Sequence, residues 1–172
     1  MIVHKNPFFK IKLINDYYLF HPKNKQVIVL PIIDNSKILI IKVRRKHLRK
    51  NMYEFPSGSA LSEKESIYDS AKRELIEETG IRYEKKNKIK KLGNIYQMAD
   101  RLTRPVYGFY INLNKNQLNY QDYDRKEIKS LRLVSVNQLV KLILNGEFNA
   151  AVPIALLFKY LFKLKKSRLV RF

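Results

Sequence analysis

The feature that most constrains the fold is a helix whose two ends are marked in the sequence, between Ser66 and Gly80. Ser66 is suited to the N-cap position and is followed three residues later by Asp69, while Gly80 can take the left-handed conformation that ends a helix. The apolar positions between them form one stripe: Ile67, Ala71 and Leu75. The sequence therefore predicts an amphipathic helix over about residues 66–79, with one side packed on a core.

Three carboxylates border this apolar stripe, at Glu74, Glu77 and Glu78. The chain has 35 Lys+Arg and only 15 Asp+Glu, so such a dense group of acids needs a reason. Like charges three or four residues apart on a helix destabilise it unless they are neutralised, and Arg73 is the i,i+4 partner of Glu77. A hard divalent cation would neutralise the rest, because it prefers carboxylate oxygens. Taken alone, the pattern also fits a solvated charged helix face.

The flanking residues make the pattern more specific. Glu54-Phe55-Pro56-Ser57-Gly58 precedes the helix, and a polar loop leads from it to Glu65. The whole run resembles the Nudix box, a loop–helix–loop that hydrolyses nucleoside diphosphates linked to another moiety. Six residues separate Gly58 from Glu65 where the family has five, and Lys64 stands where the family often has Gly. The matching positions are Gly58, Glu65, Arg73, Glu74, Leu75, Glu77, Glu78, Gly80 and Ile81.

The resemblance implies a fold and a domain organisation. It implies the Nudix fold, which is of the α/β class (α+β with a mixed sheet) and forms an α/β/α sandwich that carries the loop–helix–loop motif. Residues 1–172 would then form a single domain, including a short N-terminal β segment at about residues 1–22. Members of the most similar subgroup are commonly dimers through their N-terminal strands, so a homodimer is expected by analogy.

The resemblance also assigns roles around the three glutamates. It implies Mg²⁺ as cofactor, with Mn²⁺ as a substitute, because the cation neutralises a diphosphate and lowers the pKa of bound water. Glu74 and Glu78 would be direct metal ligands, Glu77 a ligand or a water-mediated partner, and the backbone carbonyl of Ser57 a further ligand. Arg73 would hold the glutamates in place. Glu65 would support that assembly, although an acid at a helix start is also stabilised by the helix dipole alone.

The subgroup resemblance concerns the substrate. The segment from Glu54 to Gly58 and the C-terminal pattern from Glu127 to Leu157 resemble ADP-ribose and ADP-sugar pyrophosphatases. This implies hydrolysis of ADP-ribose or another nucleoside diphosphate sugar to a nucleoside monophosphate and a phosphosugar. Arg45 falls where the subgroup has a substrate-contacting arginine, and a guanidinium fork suits phosphate oxygens. Arg104 and Gly58 complete the predicted substrate-binding set.

The general base is predicted on a loop late in the chain, where this subgroup often carries it. The candidate acids are Asp122, Asp124 and Glu127, and Asp124 lies closest to the expected place. The subgroup often has a denser acidic cluster there, whereas this chain has Arg125-Lys126. Each of these acids also fits an ordinary turn residue in a polar loop.

The remaining elements follow from apolar runs and turn residues. The sequence predicts two short N-terminal β segments joined at Asn15-Asp16, a hairpin of two buried strands, and then a basic loop. Further strands and two C-terminal helices follow, and a basic tail ends the chain. The predicted ranges are β segments 8–13 and 17–20, hairpin strands 26–33 and 37–43, loop 44–50, strands 88–98, 106–113 and 128–134, and helices 136–144 and 153–164.

Composition limits the function classes. The chain has no cysteine, which excludes disulfides and thiolate metal sites, and it shows neither a signal peptide nor a membrane span, so a cytoplasmic protein is expected. Three explanations are open for the net charge of +20. An AT-rich genome would make the chain rich in Lys, Asn, Ile and Tyr, a basic surface would steer an anionic substrate to the site, and a polyanion such as RNA would be a partner. Two alternatives therefore accompany the small-nucleotide prediction: an RNA 5′ pyrophosphohydrolase of the decapping type, and a non-catalytic domain that binds nucleotide or RNA.

Overall fold

The computed structural model describes residues 1–84, 86–119 and 123–167. The side chains of residues 165–167 are outside this description. Ten strands and three α-helices form among the described residues, in the order β1 (Ile2–Lys5), β2 (Phe9–Ile14), β3 (Tyr17–Pro22), β4 (Gln26–Ile33), β5 (Lys37–Arg45), β6 (Lys50–Glu54), β7 (Ser57–Ser59), α1 (Ile67–Thr79), β8 (Lys90–Ile95), β9 (Val106–Leu113), β10 (Ile128–Val134), α2 (Val136–Leu144) and α3 (Ala151–Ser167).

The strands form two sheets. A three-stranded antiparallel sheet contains β1, β2 and β3. The larger sheet has seven strands in the described chain, in the order β10-β5-β4-β9-β8, with β6 paired to β5 and β7 paired to β4. The pair β4–β9 is parallel and the other pairs are antiparallel, so the large sheet is mixed, as the sequence predicts.

Helices cover both faces of the large sheet because its central strands are apolar on both sides. On one face, Ala71 and Leu75 of α1 pack with Val27 and Val29 of β4. On the other face, Leu139 of α2 packs with the alternate residues of β4 and with α3. The predicted α/β/α sandwich with a mixed sheet is therefore confirmed.

The helix that carries the acids has the predicted caps. The Ser66 hydroxyl accepts a hydrogen bond from the Asp69 N–H, and Gly80 ends the helix with a φ of 63°. Asp69 does not bond back to the Ser66 backbone. Its carboxylate instead accepts a hydrogen bond from the Ser66 hydroxyl at 2.6 Å. These caps fix the start and end of α1, and hence the direction in which its acids point.

The structure corrects three predicted boundaries. The run 44–50, predicted as a basic loop, contains the end of β5, a single 3-10 turn over Lys46–Leu48 and the start of β6. The strand predicted over 88–98 is confined to Lys90–Ile95, with a bulge at Gly93 where φ is 123°. The last helix begins at Ala151 because Pro153 falls in its first turn, where its missing N–H costs no hydrogen bond. Residues 168–172 of the predicted basic tail lie outside the described part of the chain.

Candidate active site

One guanidinium group gathers the predicted acids. Arg73 donates from Nε to Glu65 Oε1 at 3.2 Å, and from Nη1 to Glu74 Oε1 at 2.8 Å and Glu77 Oε2 at 3.0 Å. Its Nη2 donates to the backbone carbonyl of Ser59 at 2.8 Å. Burial opposes the charge of Arg73, but its hydrogen bond to Glu65 and the nearby Glu74 carboxylate raise its pKa. Arg73 thus joins α1 to the loop that precedes it.

The extra loop residue does not separate Glu65 from this assembly. Although burial opposes the effect, hydrogen bonds from Arg73 and from the Leu61 N–H lower the pKa of Glu65. The Leu61 N–H lies 2.5 Å from Glu65 Oε2. The Lys25 ammonium group stabilises the loop by donating hydrogen bonds to the carbonyls of Glu63 and Glu65 at 2.9 and 3.1 Å. The longer loop therefore closes on itself around Glu65 and keeps that residue within reach of α1.

Gly58 is required by the position of Glu74. A Cβ placed on Gly58 would lie 2.2 Å from both Cδ and Oε1 of Glu74, far inside ordinary contact distance. The φ of Gly58 is not among the positive values found in the described chain, so the backbone there suits any residue. The absence of a side chain at Gly58 therefore serves to make room for a buried carboxylate, which is 9% exposed.

Glu78 is the most perturbed acid of the site. Its Oε2 accepts a hydrogen bond from the Ser57 N–H at 2.7 Å. Burial, together with the charges of Glu74 and Glu54, nevertheless raises the pKa of Glu78 to about 8. Burial also raises the pKa of Glu74, against the opposing effect of Arg73. Two neighbouring carboxylates with raised pKa values mark a place where the protein supplies less positive charge than the acids require.

These residues fit a divalent cation by chemistry. Among the described residues, no hydrogen bond reaches the second oxygen of each acid: Oε2 of Glu74, Oε1 of Glu77 and Oε1 of Glu78. Carboxylate oxygens are the ligands that hard cations prefer. Within the described ranges, no three acidic or histidine side chains are already gathered closely enough to hold an ion. The acids would therefore have to draw together around a cation.

A cavity of about 380 Å³ is lined by Ser57 and Gly58, the residues that contact Glu78 and Glu74, while the three glutamates are not among its lining residues. Its volume falls in the range of small-ligand sites, about 300–1,000 Å³. Backbone and side chains of β4, the segment 57–59 and the first turn of α3 form its walls. Its polar and small lining residues include Gln26, Arg45, Glu54, Ser57, Gly58 and Gln97, while Val106, Val152 and Pro153 supply apolar wall.

Comparison with known protein families shows which family the chain belongs to. A family model described as the NUDIX domain matches residues 22–157. The chain belongs to the Nudix family. A crystal structure described as an ADP compounds hydrolase is similar in fold to this Nudix protein, with a TM-score of 0.71 and 18% identity, covering 97% of this chain and 92% of that one. No curated protein sequence matches the chain.

Family membership makes the loop–helix–loop of residues 58–81 a Nudix box and the protein a pyrophosphohydrolase. Nudix hydrolases act on small nucleotide substrates and generally use divalent metals. No described helix is long and apolar enough to cross a membrane. The dimer, the cytoplasmic location and the individual site residues stay predictions.

Arg45 lies at the Nudix cavity, but its fork already has a partner. Its Nε donates to Glu54 Oε1 at 2.8 Å, and its Nη2 forms a second, shorter bond to Glu54 Oε2. These hydrogen bonds raise the pKa of Arg45, while burial opposes them. The sequence marks Glu54 only as the first residue of the segment that resembles ADP-sugar pyrophosphatases and gives it no role, yet it lines the cavity and its side chain is only 8% exposed. The sequence feature that could have indicated a role for Glu54 is that it is a single acid four positions after the basic run 44–50.

Two of the candidate general bases, Asp124 and Glu127, lie just before β10, which begins at Ile128. The Asp124 N–H donates to the Glu77 carbonyl at 2.8 Å, which joins this loop to the last turn of the Nudix helix. The Asp124 carboxylate accepts a hydrogen bond from the Lys126 N–H at 2.8 Å, so it caps its own turn. Glu127 lies near enough for its charge to raise the pKa of Arg45 slightly. Asp122, the third candidate, is outside the described residues.

Arg104 braces the Nudix loop and does not line the cavity. Its Nη1 donates to the Lys23 carbonyl at 2.6 Å, and its Nη2 to Glu63 Oε1 at 3.0 Å. That hydrogen bond lowers the pKa of Glu63. The assignment of Arg104 to substrate binding therefore stays a prediction, and the contacts observed are those of a loop support.

Proposed function

We propose that this Nudix hydrolase cleaves the pyrophosphate of ADP-ribose or another nucleoside diphosphate sugar, giving a nucleoside monophosphate and a phosphosugar. The observation that carries the proposal is the contact of two carboxylates with raised pKa values, Glu78 and Glu74, with Ser57 and Gly58, which line the 380 Å³ cavity. A cavity of that volume admits a small nucleotide and not only a single phosphate.

Two further observations support this substrate class. One crystal structure with a similar fold is that of an ADP compounds hydrolase, and the likeness extends over 97% of this chain. The segment Glu54 to Gly58, whose resemblance to ADP-sugar pyrophosphatases suggested the substrate, contributes to the cavity wall through Glu54, Ser57 and Gly58. Part of the sequence that carries the subgroup resemblance therefore lines the cavity in which we propose that the substrate binds.

In the reaction, water attacks one phosphorus of the diphosphate and the bond from that phosphorus to the bridging oxygen breaks. The bridging oxygen leaves with the other phosphate. Mg²⁺, or Mn²⁺ in its place, would neutralise the diphosphate and lower the pKa of the attacking water. Glu74, Glu77 and Glu78 and the Ser57 carbonyl would hold the cation. Arg73 keeps Glu74 and Glu77 in position by charge-assisted hydrogen bonds.

The remaining roles concern the substrate and the proton. Arg104 is proposed to reach the distal part of the substrate, Gly58 to line the substrate site beside Glu74, and Arg45 to contact the phosphates. For Arg45 this requires sharing its fork with Glu54, or exchanging that partner for a phosphate oxygen. Asp124 or Glu127 is proposed to accept the proton of the attacking water. Both belong to the segment that the Asp124 N–H joins to the Nudix helix.

A substrate panel tests the proposal. ADP-ribose, other nucleoside diphosphate sugars, dinucleoside polyphosphates and triphosphorylated RNA are incubated with the protein and Mg²⁺, and the products are resolved by chromatography. Glu78→Gln should remove turnover and leave the fold intact. Glu84→Gln is the matched control, because Glu84 is an acid paired with Lys86 on the surface. The proposal fails if the folded wild-type protein turns over no nucleoside diphosphate sugar.

The net charge of +20 favours a second candidate, hydrolysis at the 5′ end of triphosphorylated or capped RNA. The same catalytic residues would serve, with a longer polyanion outside the cavity. Turnover of triphosphorylated RNA at low salt, faster than that of every nucleoside diphosphate sugar, would select this candidate.

We also propose that the chain forms one catalytic domain and that two copies associate through the N-terminal sheet. That sheet and the turn before β2 leave several large apolar side chains exposed: Ile2, Val3, Phe8, Ile14, Tyr17 and Tyr18. Sedimentation equilibrium of the protein tests the association. A monomer at all concentrations would contradict it.

A further inference from the structure

A group of lysines stands at the edge strand of the large sheet, away from the Nudix box. Lys90 of β8 and Lys163 of α3 place their ammonium groups over the same ring, that of Tyr110, at 5.9 and 4.9 Å from its centroid. Lys159, one helical turn before Lys163, reaches β8, where its Nζ lies 3.6 Å from the position of a Cβ on Gly93. Three positive charges from two elements therefore share one stretch of surface.

None of these three lysines has a carboxylate partner in the described ranges. Like charges that converge on one aromatic ring repel each other, and the ring supplies only part of the compensation. With 15 acids against 35 basic residues, the chain has few carboxylates to offer. An anion from outside the protein would complete the arrangement.

Two exposed phenyl rings stand on α3, at the positions before Lys159 and Lys163. Phe158 and Phe162 are each 53% exposed on α3, and their ring centroids are 6.2 Å apart with an interplanar angle of 32°. Lys90, Lys159, Lys163, Phe158 and Phe162 are called the basic–aromatic strip below.

We propose that the basic–aromatic strip binds single-stranded RNA. Proteins that hold single strands without strict sequence preference combine lysines that follow the phosphates with aromatic side chains on which bases stack. The strip supplies both: the two lysines and the two phenylalanines of α3 each recur at an interval of four residues, and Lys90 of β8 shares the Tyr110 ring with Lys163. The site is distinct from the cavity, to which α3 contributes only its first turn at Ala151, Val152 and Pro153.

A membrane surface fits the strip less well than RNA does. A helix that lies in a lipid interface presents a broad apolar face to the acyl chains. The apolar face of α3 is occupied, because Leu156, Leu157 and Tyr160 are buried in the core. Phe158, Phe162 and the partly exposed Leu164 give too little outward apolar area for insertion, but two π faces are enough for two stacked bases.

The test measures binding of a fluorescein-labelled single-stranded RNA of about twelve nucleotides by anisotropy, at salt concentrations from about 50 to 200 mM. The variant Lys90→Gln/Lys163→Gln removes two charges from the strip. Lys37→Gln/Lys141→Gln removes the same charge from exposed positions on β5 and α2. Phe158→Ala/Phe162→Ala removes the rings. Thermal unfolding confirms that each variant is folded.

We expect wild-type RNA affinity to fall steeply with salt. In Lys90→Gln/Lys163→Gln the slope of log K against log[salt] should become shallower by about 1.4, since each phosphate contact on a single strand contributes about 0.7. The control pair should leave that slope nearly unchanged. Phe158→Ala/Phe162→Ala should weaken binding about tenfold or more at an unchanged slope, because stacking is uncharged.

Three results would overturn the proposal. The first is no RNA binding at the lowest salt. The second is an equal loss of affinity in the two lysine pairs, which would assign binding to net charge alone. The third combines two findings: Phe158→Ala/Phe162→Ala binds RNA as the wild type does, but binds phosphatidylserine vesicles more weakly than the wild type, with no such difference for phosphatidylcholine vesicles. This result would assign the strip to a membrane. All three are independent of turnover on nucleoside diphosphate sugars.

Discussion

Replacing Gly58 with alanine should inactivate the protein at little cost in stability. The added Cβ would meet Cδ and Oε1 of Glu74 at 2.2 Å and Oε2 at 2.4 Å, whereas ordinary contacts lie between 3.4 and 4 Å. Something must move by more than an ångström. The Glu74 carboxylate is the far end of a flexible side chain, so it should move while the backbone of β7 stays in place.

The stability cost can be worked from the contacts. Displacing Glu74 removes its 2.8 Å hydrogen bond from Arg73, and hydrogen bonds to charged groups contribute about 1.5–3 kcal/mol. Alanine also stabilises the folded protein by about 0.4–1 kcal/mol, because it has fewer conformations than glycine in the unfolded chain. This gain applies here because the φ of Gly58 is not positive, so alanine can adopt it. The net loss is about 1–2 kcal/mol. A catalytic group displaced by an ångström lowers the rate about a hundredfold.

The assay compares kcat/KM on the preferred nucleoside diphosphate sugar with the free energy of unfolding in urea. Gly146→Ala is the matched control: its φ of 72° imposes a strain of about 1–2 kcal/mol, but nothing lies within 4 Å of its Cβ position. The two variants should be similarly destabilised, and only Gly58→Ala should lose activity. In a Glu74→Ala background, Gly58→Ala should cost no further stability.

Two outcomes would refute this reasoning. If Gly58→Ala keeps wild-type kcat/KM, then Glu74 is not needed where it lies or the loop yields in its place. If the Gly58→Ala substitution is equally costly with and without the Glu74 side chain, then crowding against Glu74 is not the cause.

Three further predictions concern the acids and the helix start. In the metal-free protein, the raised pKa of Glu78, about 8, means that the folded state holds this proton more tightly than the unfolded state, so the free energy of unfolding should fall as pH rises from 5 to 8. Urea titrations should show this fall relative to Glu78→Gln, and parallel curves would contradict it. Arg45→Met should lower the free energy of unfolding by roughly 1–3 kcal/mol, because it leaves Glu54 buried and unpaired. This range is below that of a fully buried ion pair, since the Arg45 side chain is 37% exposed. Arg45→Met/Glu54→Met should lower the free energy of unfolding by less, which urea titration measures. Ser66→Ala should cost about 1 kcal/mol through loss of the hydrogen bond to the Asp69 N–H, measured by thermal unfolding, with no change in KM.

Local signals predicted the elements that depend on local interactions. The caps and the apolar stripe of α1 lie within fifteen residues, and the β-branched runs of β4 and β5 have the length of buried strands, so both were predicted close to their observed bounds. The Arg73 assembly was predicted from the family pattern, and the contacts of Arg73 with Glu65, Glu74 and Glu77 agree with that role.

Features that depend on pairing between distant segments were missed. The run 44–50 looks like a loop because it is basic, but its two ends belong to β5 and β6, which pair with each other on either side of the 3-10 turn. That same pairing places Glu54 beside Arg45, so the ion pair could not be found without the register. The crowding of Gly58 against Glu74 likewise arises where β7 meets α1, sixteen residues later in the chain.

The hydrogen bond from the Ser57 N–H to Glu78 has a consequence for how this position can change during evolution. The donor is a backbone atom that every amino acid except proline possesses. The side chain at position 57 can therefore drift among many residue types while the contact with the acid is inherited intact. Deep mutational scanning should find position 57 permissive for small residues and closed to proline, whereas position 78 tolerates almost nothing. A residue can thus be indispensable to a site through its backbone and leave little trace in the variety of its side chains.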